Sequence, residues 1–229
     1  MTGAVKMLSS MATRQILTAL AGQCGTATGL RMHVESVGGV DAARRIRGGE
    51  AVDLVLLASD AMTALSDDGF LVRHSMRAFA RSPTAVAVRA GQPHPASCDE
   101  ASLKGLLERS GRVGLSTGPS GKSIAKLLDT WRTPGAPAQE VLVAPPGVPV
   151  ARLIASGQAD IGFQQLSELM GEPGIDIVGP LPETIQPMTI FSVALHERAG
   201  DAASARAVIA FLTSAEASPV MRKFGMEPG

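Results

Sequence analysis

The chain has 229 residues, of which 45% are apolar, 18% are charged and 3% are aromatic, and it contains no tyrosine. Its 21 basic and 21 acidic side chains cancel, and this balance, with so few aromatic rings, argues against a nucleic-acid-binding protein. The apolar content excludes a disordered chain, and no run reaches the roughly 18 to 20 apolar residues of a membrane span, so we expect no insertion into a membrane.

Short apolar runs, each followed by a turn of small residues and an amphipathic segment, recur along the chain. They predict strands at Ala4–Leu8, Arg31–Val37, Asp53–Ala58, Arg112–Thr117, Glu140–Val143 and Asp160–Phe163. Helices are predicted at Met11–Ala21, Val40–Arg47, Ala61–Asp67, Gly121–Trp131, Val148–Ser156, Leu166–Met170, Ala202–Thr213 and Ala215–Phe224. Strands that alternate with helices predict an α/β fold with mostly parallel sheets.

Two extended runs, Ser82–Val88 and Met188–Leu195, interrupt this alternation because neither directly follows a helix. If both cross between two lobes, they form a two-strand hinge at about residues 82–88 and 188–195. Lobe I is then discontinuous, with residues 1–80 plus 190–229, and lobe II spans residues 81–186, each a mostly parallel sheet flanked by helices. The alternative is a single continuous sheet in which both runs are antiparallel edge strands.

The cysteines and histidines give no sign of a disulfide, metal or cofactor. Cys24 and Cys98 are far apart and lack a nearby second cysteine, which predicts free thiols. The four histidines are scattered, so we expect no metal site, and no cofactor is predicted. The first residues lack the pattern of a secretory signal, which predicts a cytoplasmic protein, or a periplasmic one if the sequence is a processed form.

The first candidate binding turn follows the first strand and contains Ser9, Ser10, Thr13 and Arg14. In open α/β sheets, ligands bind at the carboxyl ends of strands, where helix N-termini offer free N–H groups to anions. Ser10 suits the position that caps the helix, and the Arg14 side chain leans back toward the helix start. An ordinary capped helix with a solvated arginine explains the same residues.

The second candidate turn carries Gly38 and Gly39, whose lack of a Cβ lets backbone N–H groups approach a ligand. A plain turn explains the two glycines equally well.

The third candidate turn, with Thr117, Ser120, Gly121 and Lys122, is followed by the predicted helix Gly121–Trp131. Its Gly-Lys-Ser sequence matches the end of a nucleotide-binding loop, but Ser116 stands where that loop requires its first glycine. We therefore predict a helix start that receives an anion rather than a nucleotide.

Gln164 and Gln165, at the end of another strand, offer neutral donors and acceptors that could orient a carboxylate. Ordinary surface polarity is the alternative. Together the candidate turns contain many neutral donors, a few cations and few acids, which favours a small anionic ligand.

Four motifs, taken in their order along the chain, resemble the molybdate-type solute-binding proteins of ABC transporters, which have the type II periplasmic-binding fold. These motifs are Leu8–Thr13, Gly38–Ile46, Val52–Asp60 and Ser156–Phe163. The resemblance implies two lobes, a hinge of two strands, an anion bound between the lobes and, if the protein is exported, an ABC transporter permease as partner.

The resemblance also identifies positions at which this chain differs from the ligand-binding residues of that family. Ser10 matches the first serine ligand of that family, whereas its second serine falls at Gly39 and its tyrosine falls near Gln165. Arg14 and Lys122 add positive charge, so an organic carboxylate is favoured over molybdate or tungstate. A divergent branch of the fold includes aconitate isomerases, which shift a double bond by moving an allylic proton.

The sequence therefore supports two main hypotheses: a protein that binds a small anion, and an isomerase of the aconitate type. In the second hypothesis Lys122 is the candidate base, Ser10 or Thr117 could relay a proton through water, and His33 and Glu35 are weaker candidates. A ligand-sensing domain is a third possibility, but no DNA-binding segment fits ahead of Ala4.

Overall fold

The computed structural model describes residues 4–131 and 139–229. The described residues group into two compact units: unit 1 contains those up to Ser82 together with Ile190–Gly229, and unit 2 is Pro83–Thr189. The units have separate sheets, so the alternative prediction of one continuous sheet is wrong. Among the described residues, no helix is both long enough and apolar enough to span a membrane.

Unit 1 is built around a sheet whose strands, numbered along the whole chain, are β1 (Val5–Ser10), β2 (Met32–Val37), β3 (Leu54–Ala58), β4 (Arg77–Ser82), β10 (Thr189–Leu195) and β11 (Glu227–Pro228). A 3-10 helix at Met11–Thr13 leads into α1 (Arg14–Thr28), and the other helices are α2 (Gly39–Arg47), α3 (Ser59–Asp67), α8 (Ala202–Leu212) and α9 (Ser218–Lys223). The strand order is β11-β4-β10-β3-β1-β2. β1 is parallel to β2 and β3, and β10 is antiparallel to β3.

The central strand β3 is buried on both faces, as its Leu-Val-Leu-Leu-Ala sequence indicates. Leu54 and Leu56 pack in the apolar core that contains side chains of α1 and α8. Val55 and Leu57 pack in a second core with side chains of α2 and α3. The helices of unit 1 therefore cover both faces of the sheet, and the turns lie at the ends of its strands.

Unit 2 has a smaller sheet made of β5 (Thr84–Arg89), β6 (Arg112–Leu115), β7 (Glu140–Val143), β8 (Ile161–Gln165) and β9 (Ile175–Pro180). Its helices are α4 (Glu100–Glu108), α5 (Pro119–Trp131), α6 (Val150–Ala155) and α7 (Leu166–Leu169), with a 3-10 helix at Glu183–Ile185. The strand order is β7-β6-β8-β5-β9. β6 is parallel to β7 and β8, whereas β5 is antiparallel to β8 and β9.

Close packing of α6 on the sheet of unit 2 depends on Gly162 in β8. A Cβ at this position would lie 2.5 Å from Cγ1 of Val150 and 2.8 Å from Cδ1 of Ile154. Because these contacts are far inside van der Waals distance, a larger residue would push the helix away from the strand.

The structure differs from the sequence prediction at several elements. The predicted strand Ser82–Val88 divides at Pro83 into the end of β4 and the start of β5, since proline has no N–H for the ladder. Helix α4 and strands β4, β9 and β11 were not predicted. α4 buries only three leucines, Leu103, Leu106 and Leu107, and the edge strand β9 has no fully buried residue, so the apolar pattern of each is weak.

Candidate functional site

One edge of the unit 1 sheet brings together the carboxyl ends of three parallel strands and the helix starts that follow them. Ser9 of β1 is in register with Ser36 of β2 and with Leu56 of β3. The turns after these strands therefore share one edge, where the fold concentrates backbone N–H groups.

The hydroxyl groups of the first turn have different roles. Ser9 is fully buried and its Oγ lies 2.7 Å from Oγ of Ser36. Thr13, also fully buried, donates from Oγ1 to the carbonyl oxygen of Ser10 at 2.9 Å. Ser10 is half-buried, caps the 3-10 helix and accepts a hydrogen bond from the N–H of Ala12. Ser9 and Thr13 thus shape the turn, whereas Ser10 is accessible to a ligand.

Arg14 is the first residue of α1 and is exposed. The first turn of this helix has no acidic residue, and no carboxylate of residues 4–131 or 139–229 forms a salt bridge with Arg14. A cation at this end of a helix is unfavourable for the helix dipole. A bound anion would reverse that effect, so Arg14 is well placed to receive one.

Gly38 and Gly39 cap and begin α2. Gly38 has a φ of −55°, an ordinary value for any residue, so its backbone does not require glycine. A Cβ at Gly39 would meet no heavy atom within 4 Å. The two glycines therefore leave open space at the start of α2.

The sequence reasoning missed a hydroxyl pair at the same edge. Ser59, the first residue of α3, lies with its Oγ 2.7 Å from Oγ of Ser192 in β10. Ser192 is 5% exposed, whereas Ser59 is half-buried. The two serines are separated by 133 positions in the sequence, and only the pairing of β3 with β10 brings them together.

In unit 2, α5 begins at the carboxyl end of β6. The N–H of Lys122 donates to the carbonyl oxygen of Gly118. Ser120 is buried and its Oγ lies 3.3 Å from Oγ of Ser116, while Thr117 and Lys122 are exposed. The first turn of α5 has no acidic residue, and Lys122 forms no salt bridge with a described carboxylate.

Gly121 allows the start of α5 to pack against the end of β6. A Cβ at Gly121 would lie 1.9 Å from the carbonyl oxygen of Ser116, a distance that no real Cβ adopts. This residue is therefore required for the turn itself.

The two adjacent glutamines at the end of β8 are both 97% buried and have different partners. Oε1 of Gln164 accepts from the N–H of Val150 at 2.8 Å, and its Nε2 donates to Oε1 of Glu168 at 2.9 Å. Nε2 of Gln165 donates to Oγ1 of Thr189 at 2.7 Å, and its Oε1 has no partner among the described residues. Gln165 thus retains hydrogen-bonding capacity, whereas Gln164 stabilises the start of α6.

The weaker base candidates lie on β2, and Glu35 is engaged by Arg45. Nη1 of Arg45 donates to Oε1 of Glu35 at 2.6 Å. This hydrogen bond and the charge of Arg45 lower the pKa of the Glu35 carboxyl. A carboxylate held in this way is a poor proton acceptor at neutral pH. The described residues contain no group of three or more His, Cys, Asp or Glu side chains placed to hold a metal ion.

The architecture of the described residues, an α/β fold with two sheets flanked by helices, is the type II periplasmic-binding fold. A periplasmic molybdate-binding protein from Azotobacter vinelandii superimposes with a TM-score of 0.77 at 19% identity, covering 97% of this chain and 98% of that one. A tungstate-binding protein from Desulfovibrio alaskensis G20 gives a TM-score of 0.69 at 16% identity, covering 100% and 99% of the two chains.

The sequence comparisons define the family. The chain belongs to the bacterial extracellular solute-binding proteins, whose family pattern it matches over residues 5–227. It is also 33% identical over 188 residues to an aconitate isomerase from Pseudomonas sp.. The matched region covers 80% of this chain and 70% of the relative.

Proposed function

We propose that this protein binds a small organic anion that carries more than one carboxylate. The observation that carries the proposal is the pair of helix starts, α1 in unit 1 and α5 in unit 2. Each follows a parallel strand, lacks an acidic residue in its first turn and carries a cation without a salt bridge to a described carboxylate, Arg14 or Lys122. Each of these positions suits a negatively charged group such as a carboxylate.

The site chemistry favours an organic anion over a compact oxyanion. Ser10, Thr117, Nε2 of Gln165 and the backbone N–H groups near Gly121 would donate hydrogen bonds, and Arg14 would pair with a carboxylate. The open space at Gly39 accommodates a larger ligand. The chain contains no tyrosine, so no tyrosine hydroxyl is available to donate a hydrogen bond to an oxyanion.

Isothermal titration of the whole chain tests the proposal. Citrate, cis-aconitate, trans-aconitate and malate are expected to bind more tightly than molybdate, tungstate and sulfate. Arg14→Gln and Lys122→Gln should each weaken carboxylate binding by about tenfold or more, since a hydrogen bond to a charged group contributes roughly 1.5–3 kcal/mol. Arg31→Gln and Lys126→Gln are matched controls on exposed cations away from the two helix starts. If none of these anions binds, the proposal is refuted.

A second candidate function, aconitate isomerisation, is favoured by one observation: the 33% identity to an aconitate isomerase. The reaction removes a proton from the methylene carbon next to the double bond, shifts the electron pair and returns a proton to the far alkene carbon. Nζ of Lys122, in its neutral form, would be the proton acceptor, and the donors at the helix starts would hold the carboxylates and the developing negative charge.

Proton NMR of cis-aconitate with the protein distinguishes turnover from binding. Formation of trans-aconitate, with deuterium incorporated in D₂O, would establish the isomerase, and Lys122→Ala should abolish it. Unchanged activity in Lys122→Ala would exclude Lys122 as the base. Tight binding of cis-aconitate without conversion would exclude the isomerase and support the binding function. A transporter permease is then the expected partner if the protein is exported.

A further inference from the structure

The starts of α2 and α3 occupy equivalent positions on either side of the turn that carries Ser10. β1 lies between β2 and β3, with Ser9 in register with Ser36 on one side and Leu56 on the other. Gly39 and Ser59 follow those partners at the same spacing, and each is the first residue of its helix. The two flanks of the Ser10 turn therefore match in backbone position and differ in side chain.

The flank at β3 offers an oriented hydroxyl group. Oγ of Ser59 lies 2.7 Å from Oγ of the buried Ser192, which restricts its rotation. A hydroxyl has one donor and two acceptor positions, so when Ser192 donates to Ser59, the Ser59 hydrogen is free for an anion. The next residue, Asp60, is exposed, and its Oδ1 accepts from the N–H of Ala61, so its charge is screened and partly engaged.

The flank at β2 offers space and apolar surface instead. A Cβ at Gly39 would have no neighbour within 4 Å. The following residue, Val40, is 62% exposed, the largest exposed fraction of any large hydrophobic side chain in residues 4–131 and 139–229. Gly39 and Val40 therefore supply no side-chain donor, and this flank suits a hydrocarbon group.

We infer that the Ser10 turn selects an unsymmetrical organic anion, and this inference rests on the function proposed above. Ser59 donates to a carboxylate oxygen at the β3 flank, Ser192 positions the Ser59 hydroxyl, and a hydrocarbon branch of the ligand occupies the space beside Gly39 and Val40. A compact tetrahedral oxyanion has acceptors on every side and no group that fits the β2 flank. Ser59 and Gly39 are thus specificity-determining residues.

Titration of variants with two ligands tests this assignment: molybdate, and whichever of citrate, cis-aconitate, trans-aconitate and malate binds the wild type most tightly. Ser59→Ala should weaken carboxylate binding by about tenfold to a hundredfold, the value of one hydrogen bond to a charged group. Gly39→Ser fills the open space with a hydroxyl and should shift the affinity ratio toward molybdate by about tenfold or more. Ser192→Ala, which keeps the Ser59 hydroxyl but frees its rotation, should give a smaller loss.

Two further variants serve as controls. Ser59→Thr keeps the hydroxyl and should retain carboxylate affinity, and Ser156→Ala removes an exposed hydroxyl that donates to Leu153 in unit 2 and should change nothing. Wild-type affinity in Ser59→Ala with an unchanged ligand ratio in Gly39→Ser overturns the inference and leaves the binding function intact. Absence of anion binding by the wild type overturns both. If Ser59→Ala does not fold, the ligand ratio of Gly39→Ser decides alone.

Discussion

At the scale of single residues, Gly121 determines how the turn at the start of α5 can form. Its position relative to Ser116 leaves no room for a side chain, since a Cβ would lie 1.9 Å from the carbonyl oxygen and 2.8 Å from the carbonyl carbon of that residue. The backbone of Ser116 cannot yield without moving the end of β6, which is buried in the core of unit 2. The geometry of the turn and the presence of glycine are therefore inseparable.

We predict that Gly121→Ala lowers the free energy of unfolding by about 1–3 kcal/mol, the usual cost of overpacking, because the start of α5 must move. Anion affinity should fall with it. Chemical denaturation and titration measure the two effects. Gly105→Ala is the matched control, since its Cβ would meet only the flexible Arg109 side chain at 3.5 Å, and it should stabilise α4 by about 0.5–1 kcal/mol. Equal stabilities of wild type and Gly121→Ala would contradict the prediction.

His196, directly after β10, gives the stability of unit 1 a dependence on pH. The residue is 2% exposed, its Nδ1 accepts from the N–H of Arg198 at 3.1 Å, and its Nε2 has no partner among the described residues. Burial, together with the charge of Arg198, lowers the pKa of His196 below its ordinary value of 6.5. The folded protein therefore holds His196 neutral at a pH where the unfolded chain already binds a proton.

It follows that this contribution to stability is complete above pH 6.5 and is lost as the pH falls from 6.5 through the lower pKa of the folded state. Urea denaturation at a series of pH values between about 7.5 and 5 measures the slope. His196→Gln should flatten the slope, and His94→Gln, which replaces an exposed histidine, is the control variant. An identical slope in wild type and His196→Gln would show that other groups cause the pH dependence.

At the scale of elements, Gln164 stabilises a helix start that has no cap of its own. The N-cap residue of α6 is Pro149, whose side chain makes no capping hydrogen bond, and Oε1 of Gln164 accepts from the N–H of Val150 instead. The sequence suggested Gln164 and Gln165 as equivalent ligand groups. Their partners in the structure assign them different contributions, which a pair of substitutions can separate.

Gln164→Leu is expected to lower the free energy of unfolding by about 1–3 kcal/mol, because the buried N–H of Val150 loses its acceptor, while anion affinity changes little. Gln165→Leu should lower stability less, because the lost hydrogen bond from Nε2 to Oγ1 of Thr189 is offset by removal of a buried Oε1 that has no described partner. It should reduce anion affinity, because the second N–H of Nε2 is lost to the ligand. Denaturation and titration of both variants provide the comparison. Loss of affinity at full stability in Gln164→Leu would assign Gln164 to the ligand.

The elements differ in how well the sequence predicts them, for physical reasons. The continuous apolar run of Leu54–Ala58 and the small-residue turn after it identify a buried strand followed by a helix start, because both signals are local. The sequence also indicates the helix starts at Ser10 and Gly118–Lys122. The Ser59–Ser192 pair has no local signal, because the register of β3 with β10 creates it. The open space beside Gly39 likewise depends on neighbours distant in sequence.

At the scale of the whole molecule, a net charge of zero does not mean that every cation is paired with a carboxylate. The 21 basic and 21 acidic groups cancel, and several cations are paired, as Arg45 is with Glu35 and Glu50. Arg14 and Lys122 form no salt bridge with a described carboxylate and stand at the positive ends of helices, which disfavours the ligand-free fold slightly. An anion that binds there stabilises the folded chain by its own contacts and by reducing the repulsion between each cation and the positive end of its helix.

Binding of the proposed carboxylate should therefore raise the melting temperature. A ligand at 100 times its Kd adds about 2.7 kcal/mol to the free energy of unfolding, which at roughly 2–4 °C per kcal/mol corresponds to about 5–11 °C for a chain of this size. Differential scanning fluorimetry with citrate and with its neutral trimethyl ester measures the contribution of charge. The Arg14→Gln, Lys122→Gln double variant should lose the shift while its ligand-free melting temperature stays equal or rises, since two cations leave helix N-termini. A shift of equal size with the neutral ester, or an undiminished citrate shift in the double variant, would show that these helix starts do not bind the anion.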